Sequence, residues 1–468
     1  MTRTFDAIII GAGQAGPSLA GRLTAAGQSV ALIERQLVGG TCVNTGCTPT
    51  KALVASAYAA HLARRAADLG VVVSSGVALD SKALKARQRR IADEAREGLE
   101  QWLRSMSGLT LIEGHARFIA PSAIDVSGET LKANRIFINV GGRAAVPDLP
   151  GIRDVPYLTN SSILQLDHIP RHLVVIGGSY IGLEFAQIYR RFGSEVTIVE
   201  RGSRLIGRED PEISDAIADI LRAEGIALRL GAECIHLART ENSVTVGLDC
   251  RDGSPLVDGS DVLLAVGRVP NTHDLGLDKA RVMTDGRGFI QVSDDLQTSM
   301  PGVYALGDCN GRGAFTHTSY NDFEIAAANL LDGEARKISD RIPGYALYID
   351  PPLGRVGLTE TQARASGRPI LIGTRPMTRV ARAVEKGETA GLMKIVADAE
   401  TKHILGAAIL GTGGDEAIHA ILDAMNAGMT YTRLKWAVPI HPTVSELIPT
   451  VVGELRATKP GAQSSDVV

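Results

Sequence analysis

The chain contains no run of about 20 apolar residues, the length a helix needs to cross a bilayer. The apolar run Ala7–Ile10 is too short for a signal peptide and leads straight into glycines, so a cytoplasmic protein without a membrane span is expected. Blocks of like charge are absent too. With a net charge of −3 there is no basic stripe for nucleic acid and no acidic tail. The Lys/Arg-rich stretch Lys82–Arg96 is interleaved with Ala, Asp and Glu and reads as the solvated face of a helix. Cysteine is scarce: five in 468 residues do not make a structural disulfide framework, so any disulfide is expected to be catalytic. Cys234, Cys250 and Cys309 lack metal-ligand spacing and read as structural, and no metal site is expected.

Glycine, by contrast, is abundant, and two clusters of it repeat one plan. Asp6–Gly16 runs from a short apolar strand through Gly11, Gly13 and Gly16 into a helix start, and Glu34 ends the next apolar run. Leu173–Gly182 repeats this with Gly177, Ser179 in the middle position, and Gly182, and Glu200 ends the matching run. Glycines let the backbone approach a pyrophosphate, the helix N-terminus offers free N–H groups, and the acid reaches a ribose hydroxyl. One such motif is weak evidence; two, each in strand–turn–helix–strand context, point to two dinucleotide sites. Ser179 is small enough to keep the fold with an altered phosphate contact.

The segment Gly39–Lys51 carries Gly40, Thr41, Cys42, Cys47 and Lys51 and opens an alanine-rich helical stretch expected over Lys51–Ser105. A helix N-terminus favours a thiolate. Gly46 and Pro49 allow the distorted first turn that a disulfide across four intervening residues needs. Further on, short strands are expected, then an amphipathic helix over Glu416–Ala427, and a frayed tail at Ala457–Val468.

The Cys-x4-Cys segment with Pro49 and Lys51, set behind a GxGxxG unit, resembles the pyridine nucleotide-disulfide oxidoreductases of the glutathione reductase and dihydrolipoamide dehydrogenase type. The resemblance covers nearly the whole chain. Thr298–Asp308 is similar to the family's second FAD motif, with Gly307 and Asp308. Ile138–Arg143, with Gly141, resembles the linker into the NAD(P) part, and Ala265–Asn271, with Gly267, the return linker. Pro351–Glu360 resembles the start of the dimer interface part, and His441–Glu446 the C-terminal catalytic dyad.

The resemblance implies an α/β fold with two Rossmann-like dinucleotide-binding domains plus a C-terminal α+β dimerisation domain. The expected divisions are 1–150 (FAD, first part), 151–270 (NAD(P)), 271–340 (FAD, second part) and 341–468 (dimerisation). It implies FAD at the first unit and NAD(P)H at the second, with hydride passing to flavin and then to a Cys42–Cys47 disulfide. Cys47 would be the thiol beside the flavin and Cys42 would attack substrate. Lys51 would pair with Glu184, and Tyr180 would cover the nicotinamide pocket. His441, oriented by Glu446, would manage protons from the partner subunit of a homodimer. Glu200 favours NADH because a carboxylate repels a 2′-phosphate, although Arg201 and Arg204 stand ready to hold one.

The substrate has no local signature. The segment around Cys42 and Cys47 looks closest to mercuric reductase-like proteins, yet no cysteine follows Cys309, no Cys-x-x-Cys precedes Gly11, and His441 is present. These departures favour a small disulfide. The alternatives are a metal ion such as Hg(II) or Cu(II) as substrate, a quinone or dye as substrate, or a non-catalytic role, either as a component bound into a larger complex or as a redox sensor whose disulfide state changes partner binding.

Overall fold

Ala7–Ile10 is buried throughout, the pattern of a strand in a parallel sheet covered on both faces. It lies third in a five-stranded parallel sheet ordered 303–305, 135–138, 7–10, 30–34, 109–113. His172–Ile176 lies third in a four-stranded parallel sheet ordered 227–230, 195–200, 172–176, 261–264. This structure, a computed structural model, describes residues 2–74, 76–241, 243–249 and 253–457.

The repeat extends to single hydrogen bonds. Gly11 N–H donates to Ile33 O at 2.7 Å, and Gly177 N–H donates to Val199 O at 2.8 Å. Gly11 has φ +104° and Gly177 φ +117°. A Cβ would lie 2.3 Å from Asn139 O in the first case and 2.4 Å from Ala265 O in the second. A left-handed backbone conformation and such close carbonyl contact together require glycine.

The chain crosses between the two sheet units twice, and the crossings pair with each other. Gly142–Ala144 and Arg268–Pro270 form an antiparallel ribbon with Val269 opposite Arg143. Arg143 Nη1 donates to Pro270 O at 2.9 Å, and Asn271 Nδ2 to Val140 O at 3.0 Å.

The C-terminal part is α+β. Its sheet is antiparallel, ordered 344–347, 353–357, 404–410, 392–398, 370–376. A buried ion cluster ties it to the second sheet unit. Lys394 Nζ lies 3.2 Å from Asp210 and 2.7 Å from Glu360, and also meets Glu212; Arg355 meets Glu209 and lies 3.6 Å from Asp210. Removing one member would strand its buried partners without compensation.

Two sequence expectations about helices change. The stretch expected over Lys51–Ser105 is two helices, Cys47–Arg64 and Ser81–Ser105. The first ends in a short 3₁₀ turn, Ala66–Leu69, closed by Gly70 at φ +77°, and the valines that follow have no helical period. The second helix carries the basic stretch, capped by Asp80 Oδ1, which accepts Ala83 N–H at 2.9 Å. The helix expected over Glu416–Ala427 starts earlier and is interrupted, as Gly414–Ala417 and His419–Asn426. Ile418 O accepts both Ile421 N–H and Leu422 N–H, which tightens the turn there. The tail from residue 458 onward lies outside the described residues. Among those described, no helix is long and apolar enough to cross a membrane.

Candidate active site

Cys42 sits in a short helix, Gly40–Thr45, and Cys47 is the first residue of the helix Cys47–Arg64. Gly46 breaks the path between them. A Cβ there would lie 2.8 Å from Thr41 O, so the break falls where only glycine fits. Pro49 stands in the first turn, where its missing N–H costs nothing. The loop is held from both sides: Asn44 Nδ2 donates to Val38 O and Gly40 O at 2.9 Å, and Asn160 Nδ2 donates to Thr45 O at 3.0 Å.

The two cysteines are free thiols. Cys42 S–H donates to the Cys47 sulfur, and this bond holds the Cys47 thiol down to about 5; the Thr316 hydroxyl, 3.4 Å away, and the Lys51 charge act the same way, while burial opposes them. The same bond, with burial and the neighbouring thiolate, pushes Cys42 up. The pair is therefore polarised, with Cys47 as thiolate and Cys42 as thiol, and it titrates as a unit.

Behind the pair, Lys51 Nζ donates to Glu184 Oε2 at 2.7 Å. The other carboxylate oxygen accepts Tyr348 N–H at 3.1 Å, and Lys51 Nζ lies 4.5 Å from the centre of the Tyr348 ring. Three segments thus meet at one ammonium group: the helix after the cysteines, the helix after the second glycine turn, and the C-terminal sheet edge.

The glycine turns form two matched cradles. Glu34 accepts Ala12 N–H at 2.8 Å and Gln36 N–H at 2.9 Å; Glu200 accepts Gly178 N–H and Gly202 N–H, both at 2.6 Å. The helices starting at Gly16 and Tyr180 have no side-chain cap, and Ser179 supplies none. Asn139 Oδ1 takes Gly16 N–H at 3.1 Å, and other first-turn donors remain for an anion. A Cβ at Gly40 would lie 3.0 Å from Gly13 Cα, so Gly40 and Thr41 back directly onto the first turn. Gly307 N–H donates to Asp322 Oδ2 at 2.8 Å. Burial pushes the next residue, Asp308, up, against the pull of Arg268 at 3.5 Å from the return linker. Gly141 and Gly267, both at positive φ, mark the two linkers. Close backbone approach, uncapped helix starts and acids at the strand ends fit a dinucleotide at each turn.

Tyr180 stands at the start of its helix, edge-on to Phe315 and Tyr345 at 5.9 and 5.3 Å, with the Arg208 guanidinium 5.2 Å from its ring centre. Burial pushes its phenol up to about 12, so the ring is neutral. Arg201 is exposed, and Arg204 is paired with Asp215 at 3.0 Å.

His441 Nδ1 lies 2.9 Å from Glu446 Oε2. Its side chain is 74% exposed, and within this chain its hydrogen-bond partner is Glu446, not a cysteine. Beside it Trp436, Val438 and Ile440 are exposed by 80, 95 and 80%, an apolar run this chain leaves uncovered.

Thr316, Tyr348 and Asn160 escaped the sequence reading. Thr316 follows Asp308 closely, in the run Phe315–Ser319, which has the look of a helix start, so capping chemistry was the available signal. Of the remaining cysteines, Cys309 is buried against Ile138 O and its thiol is pushed up to about 12 by burial. Cys234 is a free thiol, exposed at a strand irregularity. Cys250 lies outside the described residues. Among the described residues no group of three or more His, Cys, Asp or Glu is placed to hold a metal.

Two dinucleotide cradles flanking a polarised cysteine pair define a two-cofactor thiol oxidoreductase. The chain belongs to the pyridine nucleotide-disulphide oxidoreductase family, which it matches over residues 5–322, with that family's dimerisation domain over residues 343–452. It is 36% identical over 451 residues to the Escherichia coli (strain K12) protein RclA, named a probable pyridine nucleotide-disulfide oxidoreductase, covering 94% of this chain and 97% of that one. It is 33% identical to mercuric reductase of Bacillus cereus, covering 94% of this chain and 70% of that one. With dihydrolipoyl dehydrogenase of Thermus scotoductus it shares 35% identity, covering 95% of this chain and 96% of the relative. A solved structure, the Cu(II) complex of the HOCl-induced flavoprotein disulfide reductase RclA from Escherichia coli, superposes with a TM-score of 0.87 at 34% identity, covering 96% of this chain and 99% of that one. The protein is thus an FAD-containing, NAD(P)H-dependent oxidoreductase by family.

Proposed function

We propose that the protein reduces a small disulfide at the expense of NADH, and that the polarised Cys42–Cys47 pair backed by Lys51 and Glu184 carries the reaction. In this reading 1–150 and 271–340 hold FAD, 151–270 holds the nicotinamide nucleotide, and 341–468 pairs two copies. FAD, when bound, supplies a hydride acceptor that passes an electron pair to the cysteine disulfide. Cys47 stays as thiolate on the cofactor side. Cys42 loses its proton to His441, attacks the substrate disulfide and releases one thiolate, which takes that proton. Cys47 then attacks the mixed disulfide, releasing the second thiol and restoring the Cys42–Cys47 bond. The balance is NADH, one proton and a disulfide giving NAD⁺ and two thiols.

Glu446 holds His441 in one tautomer. The exposure of His441 and of Trp436, Val438 and Ile440 supports a second copy that covers this face and receives His441 at its own cysteines. Glu200, fixed by two N–H groups at the strand end, favours NADH. A preference of roughly tenfold for NADPH in turnover efficiency, about 1.4 kcal/mol, would reverse that assignment.

The mercuric reductase relatives and the Cu(II) complex of RclA support a second reading, metal-ion reduction at Cys42 and Cys47. The presence of His441 weighs against it. Anaerobic titration with NADH, watched through the visible spectrum, tests the relay. A long-wavelength band at two-electron reduction is expected; bleaching without it would turn the search to quinones and dyes. Comparing NADH consumption with small disulfides, Hg(II) and Cu(II) then separates the two readings.

A further inference from the structure

The redox pair is backed by a residue that belongs to none of the motifs. Tyr348 directly follows the strand Gly344–Leu347 at the edge of the C-terminal sheet. Its N–H donates to Glu184 Oε1 at 3.1 Å, the oxygen that Lys51 leaves free, and its ring centre lies 4.5 Å from Lys51 Nζ. One residue therefore touches both members of the ion pair, the acid through its backbone and the base through its aromatic face. A cation within about 6 Å of a ring face is attracted to it. Lysine is a point charge on a long flexible stem, and two contacts restrict it far more than one.

The polar and titratable groups around this point come from five helices and from the segment that carries Tyr348. Cys47 faces Cys42, the Thr316 hydroxyl, Lys51 and Glu184. Tyr348 faces Glu184, Cys47, Asp415 and Glu416. Burial and these acids raise its phenol, so the ring acts as a neutral face. Lys51 is the cation among these groups, and its placement decides how much of its charge Cys47 feels.

We propose that Tyr348 is a positioning residue for the redox pair: its ring and backbone N–H hold the Lys51–Glu184 pair so that the ammonium group stays beside Cys47. This rests on the reading of Cys47 as the thiolate on the cofactor side. A tyrosine packed only for stability would be indifferent to the electron density of its ring, whereas one that holds a cation is not.

The test uses the full-length holoenzyme with Tyr348→Phe, then with mono-, di- and trifluorinated phenylalanine at that position, which keep the shape and weaken the ring face stepwise. The long-wavelength band of the two-electron-reduced enzyme is titrated with pH. The midpoint of Tyr348→Phe should match the wild type, and fluorination should raise it progressively, by about half to one pH unit in all. The same series in a Lys51→Met background should be flat. A flat series with Lys51 present overturns the proposal, as does an equal trend without Lys51. A wild-type enzyme with no long-wavelength band overturns the relay itself, and this inference falls with it.

Discussion

Lys51 Nζ and Glu184 Oε2, 2.7 Å apart, join the helix that begins at Cys47 to the helix that follows the second glycine turn. The Glu184 side chain is 7% exposed and that of Lys51 32%, so the acid depends on the base more than the reverse. Lys51→Met should destabilise the protein by roughly 1–2 kcal/mol, less than a fully buried pair would lose because Lys51 still reaches solvent. Denaturant unfolding checks this. Glu184→Gln keeps one acceptor oxygen for Lys51 but turns its amide N–H₂ toward the Tyr348 N–H, so it should cost at least as much; a smaller loss would mean that the Tyr348 N–H does not depend on the carboxylate.

Cys42 and Cys47 should fail differently. Cys42→Ser should lower disulfide turnover on the order of 10³-fold or more while the flavin is still reduced by NADH. Cys47→Ser should also remove the long-wavelength band, since Cys47 is the polarised thiolate. Stopped-flow absorbance separates the two steps. Disulfide turnover at the wild-type rate in Cys42→Ser would remove Cys42 from its assigned place.

The two cradles could be read in the sequence because their demands are local. Gly11 and Gly177 are fixed by a turn and by a carbonyl a few ångströms away, and no other residue tolerates either. The cysteine loop was legible for the same reason, with Gly46 placed where the helix must break. Tyr348 was not, because its partners Lys51 and Glu184 lie far back in the chain and nothing in its own neighbours signals a cation. The break after Arg64 was missed because an alanine-rich run and a basic run both favour helix, and only Gly70 and the valines after it divide them. The ion cluster of Lys394, Arg355 and Asp210 was invisible for want of any sequence proximity.

The depressed Cys47 thiol also links stability to pH. Below the ordinary thiol value of 9.0 the unfolded chain holds this proton, while the folded reduced protein releases it down to about 5. Across that window the unfolded state binds more protons, so stability rises with pH and is lost as pH falls through about 5. The melting temperature of the reduced protein should therefore climb between about pH 5 and 9 more steeply than that of Cys47→Ser. Parallel profiles would mean that the thiolate is not held in the folded state.

The internal repeat gives the last prediction. A Cβ at Gly11 would meet Asn139 O at 2.3 Å, and one at Gly177 would meet Ala265 O at 2.4 Å, so both alanine substitutions force the turn apart by similar amounts. Their consequences should differ, because the two turns serve different nucleotides. Gly11→Ala should be purified with little or no flavin. Gly177→Ala should keep its flavin, and dithiols should still reduce it through Cys42 and Cys47, yet NADH should reduce it at least about tenfold more slowly, a loss of about 1.4 kcal/mol or more at the second turn alone. Flavin content and the two half-reactions, measured on the same preparations, decide the matter. Were Gly177→Ala to lose flavin while Gly11→Ala kept it, the assignment of the two cradles would have to be exchanged.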